Sequence, residues 1–113
     1  MSAPSTEGTK RMDAKLKAKW VKALRSGNYP QTTNALRDEH GYCCLGVLCD
    51  VSDYGGWVLE GGYMVDGTYM EAELGAAGRH IFGVPDKVET MLIQMNDGGK
   101  TFKQIADYIE KNL

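Results

Sequence analysis

Residues 43–51, CCLGVLCDV, form a nine-residue apolar block interrupted only by Gly46 and Asp50. Such a block has to be buried, and it is far shorter than the ~20 apolar residues a membrane span needs. The rest of the chain must therefore wrap around it. Periodicity alone does not separate a buried helix from a buried strand at this length. A helix is favoured, because Leu45, Leu48 and Cys49 then share one face. Gly46 would let another backbone approach closely.

The flanks supply partners for it. Leu16, Trp20, Ala23 and Leu24 recur at helical spacing, so 12–26 is expected to be an amphipathic helix, closed by Gly27 as a left-handed cap. Residues 1–11 read as a flexible tail ahead of a single domain over 12–113. Tyr29-Pro30 forces an extended stretch, and 31–41 reads as irregular chain or a short strand. After a turn at 52–56, strands are expected at 57–60, 63–65 and 68–74, with turns at Gly61-Gly62 and Asp66-Gly67. Residues 75–83 read as a flexible connection, with Pro85 opening the next helix. Val88, Met91, Leu92 and Met95 make a stripe over 85–96; Phe102, Ile105, Ala106 and Ile109 make another through residue 112, opened by a Thr101–Gln104 capping box. The fold class is α+β: an N-terminal helix, a short apolar helix, a central β-hairpin or meander and two C-terminal helices. Trp20, Leu24, Leu45, Leu48, Met91, Leu92, Phe102, Ile105 and Ile109 are the expected core.

Charge is divided along the chain. Residues 1–37 carry eight Lys/Arg against two Asp/Glu, and residues 38–113 carry five against thirteen, which gives the net −2. A basic segment on an acidic body suggests head-to-tail self-association or capture of an anion, and argues against a duplex-DNA binder. The polar N-terminus, MSAPSTEGTKRMD, lacks the apolar stretch of a signal peptide, so a cytoplasmic location without membrane contact is expected. Three clustered cysteines make a poor disulfide framework and read as reduced, buried thiols. With His40 they form one crowded group rather than two zinc knuckles, so no metal is expected. Nothing places His80 beside a thiol as a base, and no cofactor or catalytic constellation is readable, so the chain is not expected to be an enzyme.

Three motifs invite chemistry. Gly98-Gly99-Lys100-Thr101 lacks the earlier glycine of a phosphate loop, since position 94 is Gln, though the amides opening the last helix beside Lys100 could hold one phosphate. The last two helices resemble a helix-turn-helix, but the second carries Asp107 and Glu110 and little to read base edges. The irregular segments hold the most suggestive set. Arg25, Arg37 and Arg79 can grip phosphates with a bidentate fork. Tyr29 or Phe82 can lie against a base, and Gln31 or Asn96 can read its edge. The plainer alternatives are arginines paired with surface acids, Phe82 in the core and Asn96 as a helix cap. A pocket shared between two chains fits so small a domain, and a homo-oligomer is expected.

WVKALRSGNYPQ, YCCLGVLCDV and MNDGGKTFKQIADYIEKNL together resemble a family of small phage-encoded proteins. The functional association of that resemblance is with the first class of Thoeris anti-defence proteins. It implies a sponge acting in an infected bacterial host, which sequesters a cyclic nucleotide or ADP-ribose-derived immune signal without cleaving it. The alternative is an anti-CRISPR-like protein that blocks a defence enzyme by surface mimicry.

Overall fold

The computed structural model describes residues 12–58 and 61–113. The element order is α1 (Ala14–Ser26), β1 (Arg37–Asp38), β2 (Gly41–Tyr42), α2 (Cys44–Ser52), β3 (Gly56–Trp57), β4 (Tyr63–Val65), β5 (Thr68–Met70), α3 (Gly75–Phe82), α4 (Asp86–Asp97) and α5 (Phe102–Asn112). This is the α+β arrangement expected from the sequence. The expected tail at 1–11, and the part of the first strand at Leu59 and Glu60, lie outside the described residues.

The apolar block is a helix, α2, and it lies at the centre. Cys44, Leu45, Val47, Leu48 and Cys49 are all wholly buried. Helix α1 packs against both α2 and α5, and α4 contacts α2 and α5. Trp20, Val21 and Leu24 of α1 meet Ile105, Ala106 and Ile109 of α5 in one cluster of buried side chains. Each large side chain fully buried there contributes about 1.5–3 kcal/mol. Asp13 caps α1 by accepting from Leu16 N at 3.0 Å, and Gly27 ends it at φ +78°. The Thr101–Gln104 capping box opens α5.

The strands are short. β1 and β2 form a two-residue antiparallel ribbon, so 31–41 is partly strand and partly irregular. β3, β4 and β5 form an antiparallel meander in that order, with Tyr63 opposite Met70 and Val65 opposite Thr68. The β4–β5 turn has positive φ at both Asp66 and Gly67, the geometry whose twist matches a two-residue hairpin.

Three expectations are corrected. Residues 75–82 are helix α3 rather than a flexible connection. Its opening amide, Leu74 N, donates to the buried Glu89 carboxylate at 2.6 Å, a capping group supplied by α4 rather than by the local sequence. Met91 is 41% exposed, because the inner face of α4 is centred on Val88, Glu89, Leu92 and Asn96. Pro85 is the N-cap of α4, one position before the helix. No described helix is long and apolar enough to cross a membrane.

Candidate functional site

The irregular chain before β1, the end of α2 and strand β3 converge on Asp50. One carboxylate oxygen accepts from the Tyr29 hydroxyl at 2.5 Å, the other from Trp57 Nε1 at 3.1 Å. Around that clasp the rings meet edge to face: Tyr29–Tyr42 at 4.9 Å, Tyr42–Trp57 at 5.9 Å and Trp57–Tyr63 at 4.9 Å between centroids. Such pairs add about 0.5–1.5 kcal/mol each beyond area burial. Partial burial, together with the Asp50 hydrogen bond, raises the Tyr29 hydroxyl well above its ordinary range, so it stays a protonated donor. Tyr29, Tyr42, Asp50 and Trp57 are all half-buried, which leaves part of the cluster facing solvent.

Arg37 lies on this cluster, its guanidinium carbon 4.5 Å from the Trp57 ring centroid. Strand β1 places it there: Arg37 pairs with Tyr42 across the ribbon, and Tyr42 packs on Trp57. Among the described residues Arg37 forms no ion pair. It is held by a π-face, and its N–H fork meets no carboxylate among the described residues. A cation resting on an aromatic ring keeps its full charge for an anion.

The other two arginines are engaged. Arg25 donates to Asp107 at 2.7 Å and to Glu110 at 3.1 Å. It lines a shallow groove of about 620 Å³ between α1 and α5, with Lys17 and Lys22 beside it. Arg79 donates to the buried Glu89 at 2.7 Å and lies 3.7 Å from Asp86. Phe82 is 1% exposed and stacks on Tyr54 with centroids 5.5 Å apart, so it has no face for a base.

Gln31, Asn96 and Lys100 come together, but as a brace. Asn96 is a buried residue inside α4 and not its cap. Its oxygen accepts from Gln31 Nε2 at 2.9 Å and from Cys44 N at 3.2 Å, and its nitrogen donates to the Thr32 carbonyl at 2.8 Å. Gln31 Nε2 also donates to the Lys100 main-chain carbonyl. These bonds tie the 30–36 chain to α4 and leave the Asn96 side chain no capacity for a ligand.

The structure therefore sets Tyr29 and Arg37 on one aromatic cluster, linked through Tyr42 and Trp57, joins Gln31, Asn96 and Lys100 elsewhere, and commits Arg25 and Arg79 to carboxylates. Tyr42, Asp50 and Trp57 of this cluster are not among the residues that the sequence pattern marks out. A tryptophan beside two glycines and a carboxylate inside an apolar block are the available signals.

The cysteines are free thiols, and all three are buried. Burial raises Cys43 to about 11 and lifts Cys44 and Cys49 as well, which keeps the sulfur protonated and unreactive. Among the described residues no group of His, Cys, Asp and Glu is arranged to hold a metal ion.

Residues 12–56 match a family described as a domain of unknown function, DUF8296. That match spans less than half of the chain, includes Tyr29, Arg37, Tyr42 and Asp50, and stops one residue before Trp57. No curated protein and no solved structure matches the chain.

Proposed function

We propose that the protein captures an anionic nucleotide and holds it uncleaved. In this reading the Arg37 fork grips a phosphate and the Tyr29–Tyr42–Trp57 cluster offers its exposed ring surface to a base. The observation that carries it is the state of the three arginines. Arg25 and Arg79 are neutralised by carboxylates, whereas Arg37 rests on Trp57 and pairs with no carboxylate among the described residues. Sequestration needs such a contact and no nucleophile, which agrees with cysteines held protonated by burial. This is the sponge activity of the first class of Thoeris anti-defence proteins that the sequence resembles. The ligand class is then a cyclic nucleotide or an ADP-ribose-derived signal.

Calorimetric titration with cyclic ADP-ribose and with cyclic di-AMP tests it. A bond from a charged group is worth about 1.5–3 kcal/mol, so Arg37→Ala is expected to weaken binding roughly ten- to a hundredfold. Arg37→Lys should rescue little, because the ammonium lacks the planar fork. Intact nucleotide recovered after denaturing the complex marks a sponge; hydrolysed nucleotide marks an enzyme. Failure of every nucleotide to bind the unaltered chain ends the proposal.

One observation favours the second reading, a protein-binding inhibitor. Met64 and Tyr69 face each other across β4 and β5 and are 40% and 46% exposed. Exposed aromatic and methionine side chains are enriched at protein interfaces. Substitution of both by Ser separates the readings, since nucleotide affinity should survive it and enzyme inhibition should not.

A further inference from the structure

We propose that Asp50 is the positioning residue of the capture site: it fixes the Trp57 and Tyr29 rings so that Arg37 stays seated with its N–H fork presented. The inference rests on the nucleotide-capture reading for what the fork holds, and on the geometry of the ligand-free chain for how the fork is held. Asp50 is the one charged side chain in the apolar block 43–51, and it projects from α2, whose Leu45, Val47, Leu48 and Cys49 are wholly buried. A carboxylate in such a place is costly unless it is bonded. Among the described residues no cation pairs with it. Its partners are the Tyr29 hydroxyl and Trp57 Nε1, one on each oxygen. Both donors are rings of the cluster that carries Arg37. A charge on the central helix therefore serves to aim two aromatic side chains.

The rings need such a hold. Trp57 ends β3, a two-residue strand at the edge of the meander that pairs only with β4. The last side-chain torsion of an indole has a broad, weakly restricted range of its own. The bond from Nε1 to Asp50 sets that torsion, and so sets where the π-face lies. Arg37 is likewise on a two-residue strand, with its guanidinium carbon 4.5 Å from the centroid of that face. A second route runs from Asp50 through Tyr29 to Tyr42. The Tyr42 ring stands edge-on to Tyr29 at 86°, and its backbone pairs with Arg37.

The carboxylate also acts through its charge. By accepting from the indole N–H it polarises the ring, and a more negative π-face holds a cation more firmly. With Asp50 at the edge of the ring and Arg37 on its face, the two form no ion pair. Asp50 thus strengthens the seat of the guanidinium without occupying the fork.

Nuclear magnetic resonance of the ligand-free chain tests the positioning. Calorimetry with whichever of cyclic ADP-ribose and cyclic di-AMP the unaltered chain binds tests its use. Asp50→Asn keeps the shape, removes the charge and leaves one acceptor oxygen for two donors. In this variant Trp57 Nε1–H is expected to exchange with solvent about tenfold faster, the Arg37 guanidinium to lose order, and nucleotide affinity to fall about tenfold. Trp57→Phe keeps a π-face and removes the donor, so Arg37 should lose order there too, which keeps the test open should Asp50→Asn not fold. Adding Asp50→Asn to Trp57→Phe should weaken binding less than Asp50→Asn does alone, because the route through the indole is already cut. Ile109→Ala opens a cavity between α1 and α5, and is expected to lower the urea midpoint with Arg37 order and affinity unchanged.

Unchanged Trp57 exchange and Arg37 order in Asp50→Asn overturn the proposal. So does a fully ordered Arg37 in Trp57→Phe, an Asp50→Asn effect undiminished in the Trp57→Phe chain, or an equal loss of order and affinity in Ile109→Ala. An unaltered chain that binds no nucleotide ends the capture reading alone, since exchange and order are measured without a ligand and still decide whether Asp50 seats Arg37.

Discussion

The indole Nε1 of Trp20 donates to the main-chain carbonyl of Cys44 at 2.9 Å, with both residues wholly buried. This bond fastens the first helix to the start of the central apolar helix. It also gives the one polar atom of a buried tryptophan its partner, without which that ring would not be tolerated at the core.

Trp20→Phe keeps a large aromatic ring and removes the donor. Leaving a buried group without its bond costs about 1–3 kcal/mol. Urea unfolding should report a loss in that range with an unchanged slope. A loss below about 0.5 kcal/mol would show that the bond contributes nothing net.

Gly46 tests packing against propensity. Alanine in a helix interior is ordinarily favoured over glycine by about 1 kcal/mol. Here an added Cβ would stand 1.8 Å from the Leu36 carbonyl oxygen, a backbone atom with no rotamer to turn away. Overpacking costs about 1–3 kcal/mol or more, so the clash wins. Gly46→Ala is expected to be less stable than the unaltered chain; a more stable variant would mean that the 30–36 segment yields easily.

Glu89 is buried and accepts from both Arg79 and Leu74 N. Removing it takes the acceptor from both, while Arg79, a quarter exposed, keeps Asp86 at 3.7 Å. Glu89→Ala should lower the urea midpoint and weaken hydrogen-exchange protection in α3 first. Arg79→Ala should leave nucleotide affinity unchanged, because its charge is committed to this pair.

Alkali should destabilise the fold. Cys43 titrates near 11 in the folded chain, and Cys44 and Cys49 are raised as well, all chiefly by burial. An unfolded thiol loses its proton near 8.5. Between those values the unfolded state binds fewer protons than the folded state, so stability falls as pH rises, by up to about 1.4 kcal/mol per pH unit per thiol. Urea midpoints are expected to hold to about pH 8 and to drop by about pH 10, less steeply in Cys43→Ala.

Elements whose cause is local were legible in the sequence. The stripe Phe102, Ile105, Ala106, Ile109 and the Thr101–Gln104 box specify α5 without help from distant residues. Helix α3 was not legible, since Gly75, Ala76, Ala77 and Gly78 carry no apolar stripe and the opening amide is capped by Glu89 from another helix. The site failed in the same way. Whether an arginine is free depends on which carboxylates the fold brings near it, and Asp107 and Glu110 lie more than 80 positions from Arg25. Asn96, expected to read a base edge or else to cap a helix, is the brace of the 30–36 chain, because its partners Gln31, Thr32 and Cys44 come from far upstream.

The packing of α1 on α5 has a consequence for synthesis. Trp20 and Leu24 are made more than 80 residues before the α5 side chains that share their buried cluster, Ile105 and Ile109. Until α5 emerges, α2 can pack on α1 but the part of the apolar face that α5 covers stays bare, and translation at about 5–20 residues per second leaves it so for several seconds. The α1–α5 contact therefore waits until residue 109 has left the ribosome, however early α1 and α2 dock. A transcript truncated before α5 should give a product that is cleared by proteases or held by chaperones.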